Sequence, residues 1–254
     1  LKCVANYAVG FNNIDWVTAK KLGIWVTNTP EVLTEATADI AWALLLSCAR
    51  RIPEGERLVR SGKFTGWQPM MLLGLDLSGK TLGLYGFGRI GQAVARRGRG
   101  WGMKILYHQR HKAWNSIERQ LKARYVSFET LLKQSDFLSV NAPLTPQTRH
   151  RFTLKEFRKM KRTAVFINTA RGPIHDEKDL VKALKKRIIH SAGLDVYEDE
   201  PRVNQALLRL ANCTLLPHLG SGTVETRNQM ALLAAENIHL ALSGLIPKTP
   251  VFSF

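Results

Sequence analysis

The stretch LYGFGRIGQAVARR (residues 84–97) decides the fold. An apolar run leads into three glycines in a GxGxxG spacing, Gly86, Gly88 and Gly91, and a helical pattern follows. Each glycine has a physical task at such a turn. The first permits a tight bend, the second lets a pyrophosphate approach the backbone, and the third lets helix and strand pack closely. Arg89 and Ile90, between the second and third glycines, belong to the same ligand-binding turn. The helix start offers backbone N–H groups and a positive dipole end to phosphates. A glycine turn alone is a weak signal, so the surrounding pattern has to agree.

It does agree. Strand-like runs recur at TLGLY (81–85), KILYH (104–108), FLSVNA (137–142), AVFIN (164–168), HSAGLDV (190–196) and CTLLPH (213–218). Several are apolar throughout, as in a sheet covered on both faces. Helical patterns such as IGQAVARR, SFETLLKQS and DEKDLVKALKKR separate them, the last opened by Asp176 as a cap with Asp179 in its first turn. The alternation predicts an α/β fold with a doubly wound parallel sheet of the Rossmann type. Residues 34–50 and 224–243 read as two further helices, the first capped by Thr34. Residues 53–78, rich in Gly, Pro, Trp and Met, read as an irregular apolar arm suited to a partner subunit. Gly98 and Gly100 are expected to interrupt the helix after the glycine turn.

Composition narrows the class. The 254 residues are 45% hydrophobic and 22% charged, the profile of a globular protein. No apolar run approaches the roughly 18 residues of a membrane span. Cys3, Cys48 and Cys213 are too few for a disulfide scaffold and read as reduced thiols, which points to the cytoplasm. No metal-ligand spacing is present, so no metal is expected. The net charge of +17 is dispersed over Lys and Arg at helix ends and polar faces, without an aromatic-interleaved stripe. It reads as a solvated basic surface rather than a nucleic-acid site.

The end of the strand after the glycine turn bears on the type of dinucleotide. An NAD site commonly carries an acid there to hold the ribose 2′-hydroxyl. Here the segment is YHQRHK (107–112), without an acid. Arg110, aided by His108, His111 or Lys112, suits a 2′-phosphate, which favours NADP(H) over NAD(H). Chemistry belongs at the carboxyl ends of the strands. Three such ends carry Arg171 (in TARG), Glu200 (before Pro201) and His218 (in PHLG). Together they make a proton-transfer set. The Arg holds an anionic or carbonyl oxygen, the carboxylate orients and charges the imidazole, and the His exchanges a proton with the substrate.

The sequence resembles the D-isomer-specific 2-hydroxyacid dehydrogenases, most closely the glyoxylate/hydroxypyruvate reductase branch. The segments that carry the resemblance are NYAVGFNNID, VTNTPEVLTEATADIAWALLL, LGLDLSGKTLGLYGFGRIGQAVARR, APLTPQT, MKRTAVFINTARGP, AGLDVYEDEP and LLPHLGSGTVETR. The resemblance implies catalytic roles for Arg171, Glu200 and His218, and NADPH-dependent reduction of a small 2-oxo acid. It implies that Asp195 contacts the nicotinamide carboxamide, that Thr169 and Ala170 lie along the nicotinamide, that Pro143 lines the adenine side, and that Thr148, His218 and Gly220 also bind the cofactor. The backbone of Val9 and Gly10 would meet the substrate, and Trp67 would reach across a homodimer from the arm. Residues 1–33 read as a remnant of a flavodoxin-like substrate domain, 34–219 as the dinucleotide-binding domain, and 220–254 as a helix returning to the substrate domain.

Three features depart from the family pattern. His175 stands in RGPIHDE where an aliphatic residue is usual, Gly98 and Gly100 fall in a helix, and the charge is unusually basic. Two other readings stay open at this point. One is a dinucleotide-binding interaction protein resembling corepressors of the same fold family. The other is an inactive fragment, because family members carry a further stretch before the position of Leu1.

Overall fold

The structure is a computed structural model describing residues 1–254. In chain order its elements begin β1 (Cys3–Ala5), α1 (Trp16–Lys21), β2 (Trp25–Thr27), α2 (Thr34–Arg50) and α3 (Ile52–Arg60). There follow β3 (Thr81–Tyr85), α4 (Arg89–Gly100), β4 (Lys104–His108), α5 (Asn115–Leu121), β5 (Ala123–Tyr125), α6 (Phe128–Gln134) and β6 (Phe137–Val140). The chain ends with α7 (Leu154–Phe157), β7 (Val165–Asn168), α8 (Glu177–Lys185), β8 (Ser191–Leu194), α9 (Gln205–Leu208), β9 (Cys213–Leu215) and α10 (Val224–Leu242). No helix is long and apolar enough to cross a membrane.

Two compact units form: Leu1–Thr37 with Ser221–Phe254, and Ala38–Gly220. The division between these units falls inside α2, between 37 and 38. In the first unit β1 and β2 pair in parallel, Val4 opposite Val26, and α10 packs on both. The Thr223 hydroxyl caps α10 by accepting from the Thr226 N–H. Trp25, Phe252 and Phe254 form an aromatic cluster that brings the carboxyl end back to β2.

The second unit is built on one parallel seven-stranded sheet in the order β5-β4-β3-β6-β7-β8-β9. Alternate residues of each strand enter two different cores. Leu82, Leu84, Ile105, Tyr107, Val165 and Ile167 pack with α2, α4 and α5 on one face. Tyr85, Leu106, Leu138, Val140, Phe166 and Leu194 pack with α6, α7 and α8 on the other. Both faces are apolar, which is why the strands read as continuous apolar runs. The register aligns Tyr85, Val140, Asn168 and Leu194 across the sheet, so the loops after them share one edge. Strand order reverses at β3, between β4 and β6, which opens a crevice at that edge.

Three local expectations need correction. Residues 52–60 are helical, not irregular. Pro53 lies in the first turn, where its missing N–H costs nothing, and Arg51–Glu54 and Glu56–Arg60 ion pairs support the helix. Gly98 and Gly100 do not interrupt α4. A Cβ on Gly98 would stand 2.8 Å from Leu82 Cδ2 and 3.0 Å from Ile105 Cδ1, so this glycine lets α4 lie close to the sheet. Thr34 is the first helical residue of α2 rather than the cap before it.

Candidate active site

The glycine turn begins as β3 ends. Gly86 adopts φ 96°, a conformation that favours glycine, and a Cβ there would meet the Ala142 backbone N at 2.7 Å. A Cβ on Gly91 would stand 2.4 Å from the Gly86 carbonyl oxygen. These two glycines pack protein against protein. Gly88 differs: it is exposed and a Cβ there would meet nothing within 4 Å. It is the N-cap of α4 and provides no side-chain cap, so the first turn, with Arg89 and Ile90, presents backbone N–H groups beside open space. On β7's loop the Thr169 hydroxyl is buried with no partner. An open cradle at a helix start, with an orphaned hydroxyl in the loop after β7 at the same edge of the sheet, fits a dinucleotide.

The loop after β6 is self-braced. Thr148 Oγ1 donates to the carbonyl of Pro143, which is itself exposed, and accepts from the Thr145 N–H. At the end of β4, Gln109 stands where an acid would hold a ribose, and its Oε1 accepts from the Phe87 N–H at 3.0 Å. Arg110 and His111 are exposed, and neither forms an ion pair. The other candidates for a 2′-phosphate are engaged elsewhere. His108 binds the Val126 carbonyl through Nδ1 and stacks with Tyr85 and Tyr125, and Lys112 pairs with Glu118.

The loops after β7, β8 and β9 carry Arg171, Glu200 and His218 to the same edge. Glu200 Oε2 lies 2.8 Å from His218 Nδ1, and its Oε1 accepts from the Tyr197 N–H at 2.9 Å. The hydrogen bond to Glu200 raises the His218 pKa above its ordinary value, although burial and the Arg171 charge oppose it. Burial alone would raise the Glu200 pKa, but the bonds from His218 and Tyr197 and the charges of His218 and Arg171 outweigh it and hold it low. Arg171 is largely buried, which lowers its pKa against the pull of Glu200. His218 Nε2 makes no bond to protein, and the side chain remains 50% exposed. A protonated imidazole, aligned by a carboxylate, beside an arginine can give a proton to a developing alkoxide and bind an anion.

Two supports were not foreseen. His218 is held at φ 57°, and the next two N–H groups, of Leu219 and Gly220, donate to Asp195 Oδ1 and Oδ2 at 2.6 and 2.8 Å. Asp195, fully buried, thus clamps the turn that carries the histidine. The pattern GLDV…PHLG carries both partners 24 residues apart, but nothing in that spacing announces the contact. The second support is Gly172. A Cβ there would fall 1.9 Å from the Tyr197 carbonyl atoms, so glycine lets the Arg171 turn touch the loop that carries Glu200. Ala170 lies in that turn, its N–H held by Asn168 Oδ1. Trp67 projects from the arm, 80% exposed and without a ring contact. Val9 and Gly10 belong to the first unit, where Asn28 and Asn6 take their carbonyls. No cluster of three or more potential metal ligands exists.

Fold and site together define a dinucleotide-binding α/β protein with a His–carboxylate–Arg set on its strand ends. The model of the D-isomer specific 2-hydroxyacid dehydrogenase NAD binding domain matches residues 42–220. The chain belongs to this family, and its cofactor is a nicotinamide dinucleotide. The glyoxylate reductase of Thermococcus litoralis is 53% identical over 251 residues, which cover 97% of this chain and 76% of the relative. A Thermus thermophilus protein of known crystal structure superposes with a TM-score of 0.93 at 45% identity, over 99% of this chain and 79% of its own. The NADPH-dependent glyoxylate/hydroxypyruvate reductase of Sinorhizobium meliloti, solved with NADP and malonate, gives 0.92 at 40% identity, over 99% and 77%.

Proposed function

We propose that this chain reduces glyoxylate and related small 2-oxo acids, hydroxypyruvate among them, to 2-hydroxy acids, with NADPH as the preferred donor. The observation that carries the reading is the 2.8 Å His218–Glu200 pair on the strand ends that also bear Arg171. The nicotinamide, when bound, supplies hydride for C2 of the acid. His218 gives the proton on Nε2 to the C2 oxygen. Glu200 holds Nδ1, which orients the ring and keeps it protonated to higher pH. Arg171 pairs with the carboxylate and polarises the carbonyl oxygen. The names of the two reductases above support this substrate class.

Gly86, Gly88, Arg89, Ile90 and Gly91 are assigned to the pyrophosphate, Pro143 and Thr148 to the adenine side, and Thr169, Ala170, Asp195, His218 and Gly220 to the nicotinamide. NADPH over NADH is supported by Gln109 in place of an acid and by the exposed, unpaired Arg110. Val9 and Gly10 are assigned to the substrate through their N–H groups. A homodimer through the arm 53–78, with Trp67 serving the partner's site, is supported by the exposure of Val59, Phe64, Trp67 and Met70. The proposed compartment is the cytoplasm, in keeping with three free thiols. The test is to mix the chain with NADPH and glyoxylate. Loss of the reduced-nicotinamide absorbance with formation of glycolate is expected. A folded chain that binds NADPH and gives no turnover would overturn the reading.

A further inference from the structure

His175 has no part in the chemistry above, yet it is fully buried. It follows the short turn Gly172–Ile174 and lies edge-on to Phe166 at 5.7 Å. Its Nδ1 is 3.0 Å from Nδ2 of Asn168, the buried last residue of β7. The surrounding backbone fixes which way the Asn168 amide points. Its Oδ1 accepts from the Ala170 N–H at 3.0 Å, and its Nδ2 donates to the Arg171 carbonyl at 2.9 Å. A backbone N–H can only donate and a carbonyl can only accept, so the amide has one orientation. Nδ2 is therefore the donor toward His175, and Nδ1 accepts. An accepting ring nitrogen carries no proton, so the neutral ring bears it on Nε2. That Nε2 is buried without a partner. Burial also holds the ring neutral, pushing its pKa down to about 3.

We propose that His175 is a positioning residue for Arg171: its Nδ1 takes the second N–H of Asn168 and so locks the turn Thr169–Arg171. This rests on the reading of Arg171 as the group that pairs with the substrate carboxylate. The linkage is short. The ring holds the amide, the amide holds the Ala170 N–H and the Arg171 carbonyl, and the guanidinium follows its backbone. An aliphatic side chain would fill the same space but leave one Asn168 N–H without an acceptor. The unpartnered Nε2–H opposes folding, so the fixed turn is obtained at some expense of stability.

The test compares His175→Val with His175→Asn. Valine removes the acceptor, whereas asparagine places an oxygen near the position of Nδ1. Amide hydrogen exchange of the unliganded chain is the first readout. The Ala170 N–H is expected to exchange about tenfold faster in H175V and within about threefold of wild type in H175N, with Phe166 and Ile167 unchanged in both. The second readout is kinetic. The KM for glyoxylate is expected to rise about fivefold in H175V, with the KM for NADPH unchanged and the thermal midpoint equal or higher, and H175N restores it. A role in packing alone predicts the reverse order, because valine suits an apolar site better than a buried amide. Unchanged Ala170 exchange in H175V, or H175N no better than H175V, overturns the proposal. A wild-type chain that fails to reduce glyoxylate refutes the reductase reading, while the exchange experiment still decides the role of His175.

Discussion

Asp195→Asn separates holding the histidine from being the histidine. Both oxygens of Asp195 are committed, Oδ1 to the Leu219 N–H at 2.6 Å and Oδ2 to the Gly220 N–H at 2.8 Å. Asparagine has one acceptor oxygen, so one backbone N–H would face an amide donor. A hydrogen bond to a charged group contributes about 1.5–3 kcal/mol. Part of the loss is offset, because burial already works against the Asp195 charge and pushes its pKa up. The net destabilisation is then about 1–2 kcal/mol, a fall of roughly 2–8 °C in Tm for a unit of this size. The effect on turnover is larger. His218 adopts φ 57°, a conformation that costs about 1–3 kcal/mol and persists only while its surroundings enforce it. With one anchor lost the residue relaxes and Nδ1 leaves Glu200. Steady-state kinetics should show kcat/KM for glyoxylate reduced about 10- to 100-fold. NADPH affinity, which the proposed site draws mainly from the glycine turn, should change less than about fivefold. A folded D195N chain with wild-type kcat/KM would refute this reasoning.

The pH dependence of reduction should bear the mark of Glu200. Because Glu200 raises the His218 pKa, the stability this pair contributes is present below about pH 6.5 and is lost as pH rises through the raised value. The alkaline limb of kcat/KM follows the same group, and Glu200→Gln should move that limb to lower pH. Arg110→Asp should weaken NADPH binding more than about tenfold and NADH binding less than about threefold, measured by fluorescence titration; equal losses exclude a 2′-phosphate role. Gly88→Ala should leave Tm unchanged and abolish tight cofactor binding, since its Cβ would enter the open space proposed for the pyrophosphate. Gly91→Ala, whose Cβ would stand 2.4 Å from the Gly86 carbonyl oxygen, should lower stability by about 1–3 kcal/mol in denaturant unfolding.

The parts of the fold legible in advance were those with strong local patterning. The central strands were readable because both faces are apolar, and the glycine turn because its three residues do separate steric work. Arg171, Glu200 and His218 were readable because strand ends are where loops can meet. β5 (Ala123–Tyr125) was not, since its three residues, buried Ala123, exposed Arg124 and half-buried Tyr125, are too few to establish a pattern. α3 was hidden by Pro53 and Gly55, which look like breakers unless the helix start is known. The Asp195 clamp, the close approach at Gly172 and the Asn168–His175 bond were invisible for a common reason. Each joins segments whose proximity is set by the crossing of loops, and no spacing along the chain encodes it.

In the proposed reaction His218, held by Glu200, supplies the proton to a 2-oxo acid. The most direct measurement is kcat for glyoxylate with NADPH in His218→Ala, alongside the NADPH Kd of the same variant. A fall in kcat of about a hundred- to ten-thousandfold is expected, with Kd within about twofold of wild type. A variant that binds NADPH normally and keeps kcat within about threefold of wild type would contradict it.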